Sequence, residues 1–121
     1  MALTVKVVEN KPRIFVVSLV GKLDGTTYGE LEKKIDYLMA EGGAKVITLD
    51  LAGLEFISSM GIRVIFKAKK DLSSKGGSLF LARIPPPIEK VLEIIDALPS
   101  MKIFSGIQEM DAYLAKMQQE V

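Results

Sequence analysis

The chain has 121 residues, 49% of them hydrophobic and 26% charged, and a formal net charge of +1. That size and balance fit one globular domain over residues 1–121, able to bury roughly two-thirds of its unfolded-chain surface without a metal or disulfide. Cys and His are both absent, which excludes disulfides, thiolate chemistry, imidazole bases and the commonest metal ligand, and the near-neutral charge gives no electrostatic case for nucleic acid or a membrane surface.

The first residues, MALTVKVVENKPR, lack the basic start and long apolar run of a secretory signal. No apolar stretch approaches the roughly 20 residues that span a bilayer. The expectation is a cytoplasmic protein without membrane insertion.

Two runs rich in Val and Ile come first, Leu3 to Val8 and Ile14 to Val20. Asn10 and Lys11-Pro12 separate them, which predicts a hairpin, and Gly21 marks the end of the second run. Thr27 and Glu30 have the spacing of a capping box, and Tyr28, Leu31, Ile35 and Leu38 recur at helical period up to Gly42-Gly43. Lys45 to Leu51 reads as a buried strand, with a loop over Gly53 to Gly61 leading out of it. A second helix is expected from Ser59 or Met60 to Leu72; Gly61, Val64, Ile65, Ala68 and Leu72 share its apolar face. Lys75-Gly76-Gly77 predicts a turn and Ser78 to Ala82 a strand. Pro85-Pro86-Pro87 cannot continue that strand but suits the first turn of a helix, marked by Ile88, Val91, Leu92 and Ile95. Pro99 precedes a short strand, Met101 to Phe104. Ser105 and Gln108 then form a capping-box pair before an amphipathic helix with Ile107, Met110, Leu114 and Met117 inward.

This alternation predicts an α/β fold: a mixed, mostly parallel sheet of about five strands flanked by four helices, with an antiparallel N-terminal hairpin. In such sheets sites gather at the carboxyl ends of strands. The candidates are Gly21-Lys22-Leu23-Asp24-Gly25-Thr26 and Gly53 to Gly61. Ser58 and Ser59 stand directly before a helix. Capping explains a serine there, since its side chain accepts a backbone N–H. A helix start also tolerates an anion, so a phosphate there would add about 1.5–2 negative charges without unfolding the domain.

Other residues keep two readings. Asp24 shapes a site or makes a turn. Ile62 and Phe66 form a partner stripe or the edge of the core. Arg63, Lys67 and Lys70 meet an acidic partner or face solvent. The three prolines form a recognition segment or start a helix. Gly76-Gly77 lacks the Lys-Ser/Thr context of a phosphate loop and is read as a turn. Asp50 and Glu55 have no companions that would make a metal site, so no metal and no catalytic residue is assigned.

The segment LDLAGLEFISSMGIRVIFKAKKDL resembles the STAS domain of the anti-sigma factor antagonist family, whose pattern is an apolar strand, a loop, then Asp-Ser-x-Gly entering a helix. Ser59 falls on the family's phosphorylated serine, Gly61 on its glycine, and Ser58 stands in place of its Asp. Gly21-Lys22-Leu23-Asp24 is similar to the family's Gly-x-Leu-Asp turn. The resemblance implies a non-enzymatic partner switch. The unphosphorylated protein binds an anti-sigma factor that is also a serine kinase, phosphorylation of Ser59 breaks the complex, and a serine phosphatase restores it. Asp24, Thr26, Ser58, Met60, Ile62 and Arg63 are the implied contact surface. ATP belongs to the kinase, so no cofactor is implied for this chain. The alternative is an accessory role, in which the domain assembles with other STAS-type chains or serves a transporter.

Overall fold

A computed structural model describes residues 3–97 and 101–119, with side chains as far as Lys116. Pro99 lies outside the described residues, as does the side chain of Met117.

The first strand, β1 (Leu3–Lys11), folds back on β2 (Ile14–Leu23) through Pro12 and Arg13. Arg13 turns the chain at φ 67 while its N–H donates to the Glu9 carboxylate. Helix α1 (Tyr28–Ala40) leads to β3 (Val46–Ile57), α2 (Ser59–Ser74) to β4 (Ser78–Ala82), and α3 (Pro86–Ile94) to β5 (Lys102–Phe104). Helix α4 (Ile107–Gln119) follows. The strands lie in the order β1-β2-β3-β4-β5; β1 pairs antiparallel with β2, and every later pair is parallel. The expected mixed α/β sheet with its N-terminal hairpin is therefore present.

The period of two along each strand divides the sheet into two faces. Phe15, Val17, Leu19, Ile47, Leu49, Leu79 and Leu81 join one large core with Leu31 and Ile35 of α1, Val64, Ile65 and Leu72 of α2, and Ile88 and Leu92 of α3. Ile14, Val16, Val46, Phe80 and Phe104 turn to the other face and pack under Met110 and Leu114 of α4. Phe80 meets Phe104 and Tyr113 edge-on, at centroid separations of 5.1 and 5.9 Å. Asn10 holds the Asp111 side chain at 2.7 Å, tying the hairpin to α4.

Two expected boundaries are wrong for one reason. β2 does not end at Gly21 but runs to Leu23, and β3 runs to Ile57, through most of the expected 53–61 loop. The two extensions pair, Val20 with Gly53 and Leu23 with Ile57, across register shifts that each insert an extra residue in β3. Gly21, at φ 109, takes a conformation that side-chain-bearing residues rarely adopt, so it bends the strand rather than ending it. Neither expected capping box forms. Thr27 makes no side-chain cap to α1. Ser105 instead donates to the Glu109 carboxylate at 2.6 Å, and α4 begins at Ile107. The proline run does initiate α3, with Pro86 and Pro87 in its first turn.

Candidate functional site

The paired extensions of β2 and β3 carry both candidate segments to the same end of the sheet. The Ser58 N–H donates to the Leu23 carbonyl at 2.9 Å, so the start of α2 is fastened to the strand that releases the 24–27 turn. Gly61 makes the approach possible: a Cβ at that position would lie 2.6 Å from Leu23 Cγ. Gly61, Val64, Ile65, Ala68 and Leu72 are the buried residues of α2, as the sequence period required.

The two serines separate into different roles. Ser58 is the N-cap, extended at φ −98 and ψ 174, and its Oγ accepts the Gly61 N–H at 3.4 Å. Its carbonyl accepts the Ile62 N–H at 3.0 Å. Ser59 is the first helical residue; it is exposed and makes no side-chain hydrogen bond among the described residues. Capping thus accounts for Ser58 and leaves Ser59 free.

Asp24 organises the neighbouring turn. Its Oδ1 accepts from the Thr26 N–H and hydroxyl at 2.9 and 2.8 Å and from the Thr27 N–H at 3.2 Å. Its carbonyl accepts the Thr27 and Tyr28 N–H groups, which supplies part of the cap that Thr27 does not give α1. The Thr26 hydroxyl, then its N–H, chiefly hold the Asp24 carboxyl below its ordinary pKa of 3.8. Thr27, 3% exposed, is a residue the sequence reading missed as part of this site. Its hydroxyl donates to the Lys22 carbonyl at 2.8 Å and accepts the Asp24 N–H at 2.9 Å. A Thr before a helix gives the same sequence signal whether it caps forward or ties the turn behind it.

Thr26 and Arg63 are exposed, and Met60 is half-buried. Ile62 and Phe66 pack against the large core, so both form its edge. Lys67 lies 3.6 Å from Glu32 and 3.7 Å from Asp71.

The second missed feature lies on the α4 side of the sheet. Asp50, 4% exposed in β3, receives the Arg83 guanidinium through both oxygens, with Nε at 3.0 Å from Oδ1 and Nη2 on Oδ2. The Ala52 N–H and the Ser18 hydroxyl donate to the same carboxylate at 3.2 and 3.5 Å. Burial alone would raise the Asp50 pKa; the Arg83 hydrogen bonds, the Ala52 N–H, the Arg83 charge and Ser18 together outweigh it and hold the carboxyl below 3.8. Arg83 reaches this position at φ 53. The available signal was a carboxylate alternating with buried apolar residues, since such a group requires a partner.

Asp24 and Asp50 are thus both committed to hydrogen bonds within the fold. Among the described residues no group of three or more acidic residues could hold a metal ion. No described helix is long and apolar enough to cross a membrane. The arrangement offers an exposed serine hydroxyl at a helix start, on a surface braced by the turn that Asp24 holds.

The fold and this surface define a STAS domain. The STAS domain family profile matches residues 6–110, and the chain belongs to that family. It is 27% identical over 98 residues to an anti-sigma F factor antagonist from Paenibacillus polymyxa, covering 81% of this chain and 84% of that one. The structure of the anti-sigma factor antagonist SpoIIAA in its unphosphorylated form superposes with a TM-score of 0.74 at 18% identity, over 93% of this chain and 98% of that one. The phosphorylated form of the Bacillus cell fate determinant SpoIIAA gives 0.73 at 20% identity, over 91% and 99%. At these identities the solved structures establish the fold.

Proposed function

We propose that this chain is an anti-sigma factor antagonist whose binding is switched at Ser59. The unmodified protein binds an anti-sigma factor that is also an ATP-dependent serine kinase. The kinase moves the γ-phosphoryl group of ATP to the Ser59 Oγ; the hydroxyl proton passes to a base of the kinase and ADP leaves. A serine phosphatase reverses the change. On this reading the chain is a substrate and ligand rather than a catalyst, and it acts in the cytoplasm as one domain.

The observation that supports this most directly is the division of labour at the start of α2: Ser58 caps the helix, and Ser59 is exposed with an uncommitted hydroxyl. Phosphorylation therefore removes no structural hydrogen bond of Ser59. It places about 1.5–2 negative charges at the positive end of a helix, where the fold tolerates them. Asp24, Thr26, Ser58, Met60 and Arg63 supply the surrounding surface, with Ile62 contributing through the edge it leaves uncovered. Ser58, in place of the family's Asp, leaves the acceptor with a neutral neighbour.

Incubation with ATP and a cognate anti-sigma kinase, followed by intact mass measurement, tests the assignment. The expected product carries one phosphate, and Ser59→Ala abolishes it. Continued single phosphorylation of Ser59→Ala would sink the site. A stable large assembly, unchanged by ATP and kinase, would favour an accessory role instead.

A further inference from the structure

We propose that Arg63 of this chain binds the phosphoryl group carried by Ser59, so that modification withdraws a cation from the docking surface as well as adding an anion. The inference rests on Ser59 being the acceptor. Ser59 opens α2, and Arg63 follows it by four residues on the same 16-residue helix. Residues at that spacing are neighbours on a helix surface, about 5–6 Å apart at Cβ. Both side chains are exposed.

The guanidinium is available. Among the described residues Arg63 has no ion pair or side-chain hydrogen bond, whereas Lys67 is held by Glu32 and Asp71 and Arg83 by Asp50. The first turn of α2 has no acidic residue, and its cap is the neutral Ser58, so no carboxylate at the helix start competes for the guanidinium. Asp24, brought to this end by the turn after β2, has Oδ1 committed to Thr26 and Thr27. Lys22, opposite Phe56 in the β2–β3 register, is a second cation at this end of the sheet.

A phosphate dianion offers three acceptor oxygens, and the planar fork of arginine meets two of them in parallel. Lysine would keep the charge without the fork. Before modification the free guanidinium can pair with a carboxylate of the anti-sigma partner; afterwards it is held by the neighbouring phosphate. Adding the phosphate and losing Arg63 as a contact are then one event.

The test uses the full chain with phosphoserine installed at position 59 during synthesis, so it needs no kinase. Phosphorus NMR follows the second phosphate ionisation in the otherwise unaltered chain and in the Arg63→Gln, Arg63→Lys and Lys22→Gln variants. The expected result is an ionisation about 0.3 pH unit lower in the unaltered chain than in Arg63→Gln at low salt, with the gap closing at high salt. Arg63→Lys should fall between them, and Lys22→Gln should titrate like the unaltered chain. Equal titration of the unaltered chain and Arg63→Gln overturns the proposal, as does a shift that vanishes in Lys22→Gln but survives in Arg63→Gln. A cognate kinase that leaves the unmodified chain unphosphorylated would count against the reading of Ser59 as acceptor, a result distinct from either of these.

Discussion

Ser58 and Ser59 are chemically identical neighbours, and one backbone torsion separates their roles. Ser58 is extended and aims Oγ at the Gly61 N–H; Ser59 already lies in the helix and cannot. Removing the first hydroxyl should therefore weaken the fold and removing the second should not. Urea unfolding of Ser58→Ala is expected to show a loss of about 0.5–1 kcal/mol, at the low end for a cap because the bond is long. Ser59→Ala should stay within about 0.5 kcal/mol of the unaltered chain. The reverse order would mean that Ser59, not Ser58, caps α2. At this scale the sequence located the pair but left capping open to both. It misjudged Thr27, whose hydroxyl serves Lys22 and Asp24 behind it instead of the helix ahead. A short hydroxyl side chain reaches backbone groups in either direction, and the choice depends on where the preceding strand ends.

At the scale of elements, α2 was legible because its five buried positions repeat at the period of a helix packed on one side. The ends of β2 and β3 were not. Gly21 and Gly53 carry the ordinary signs of a strand end, yet both lie inside strands that continue together past two bulges. The pairing between them is non-local and leaves no local pattern. Its consequence is the close approach of Gly61 to Leu23, which seats the start of α2 against the end of β2. Gly61→Ala would put a Cβ 2.6 Å from Leu23 Cγ, 3.0 Å from its Cδ2 and 3.1 Å from Ile57 Cγ1. The expected cost is about 1–3 kcal/mol of overpacking, measured by urea unfolding, together with reduced binding to the proposed anti-sigma partner as the start of α2 is displaced. Full stability in this variant would mean that α2 does not need its close approach to β2.

Across the whole molecule, the Asp50–Arg83 pair links the middle of the sheet to the turn after β4. The Asp50 pKa is lowered on folding, so its stabilising contribution is complete above the unfolded value near 3.8 and is lost as pH falls through the lower folded value. Asp24 acts in the same direction. Stability should accordingly decline below about pH 4. Arg83→Ala should lose about 2 kcal/mol at pH 7, less than a fully buried pair because the Arg83 side chain is half exposed. That deficit should shrink as pH falls below about 4, as Asp50 takes up its proton first in the variant, which lacks the Arg83 partner, and at lower pH in the unaltered chain. An equal deficit at pH 7 and pH 3 in urea unfolding would show that Arg83 matters for packing and not for the charge of Asp50.

By itself the sequence determined the order of strands and helices, the inward face of α2, the proline start of α3 and the likeness of Ser58-Ser59-Met60-Gly61 to the family motif. These follow from periodicity, turn chemistry and residue identity, which act over a few neighbouring positions. The tertiary structure alone decided which serine caps α2, that Asp24 and the α2 start share one end of the sheet, and that Asp50 answers to Arg83, 33 residues away. Each depends on strand register and on close approach between distant segments. Those are settled by how the strands pair and the helices pack, and no short stretch of the chain encodes them.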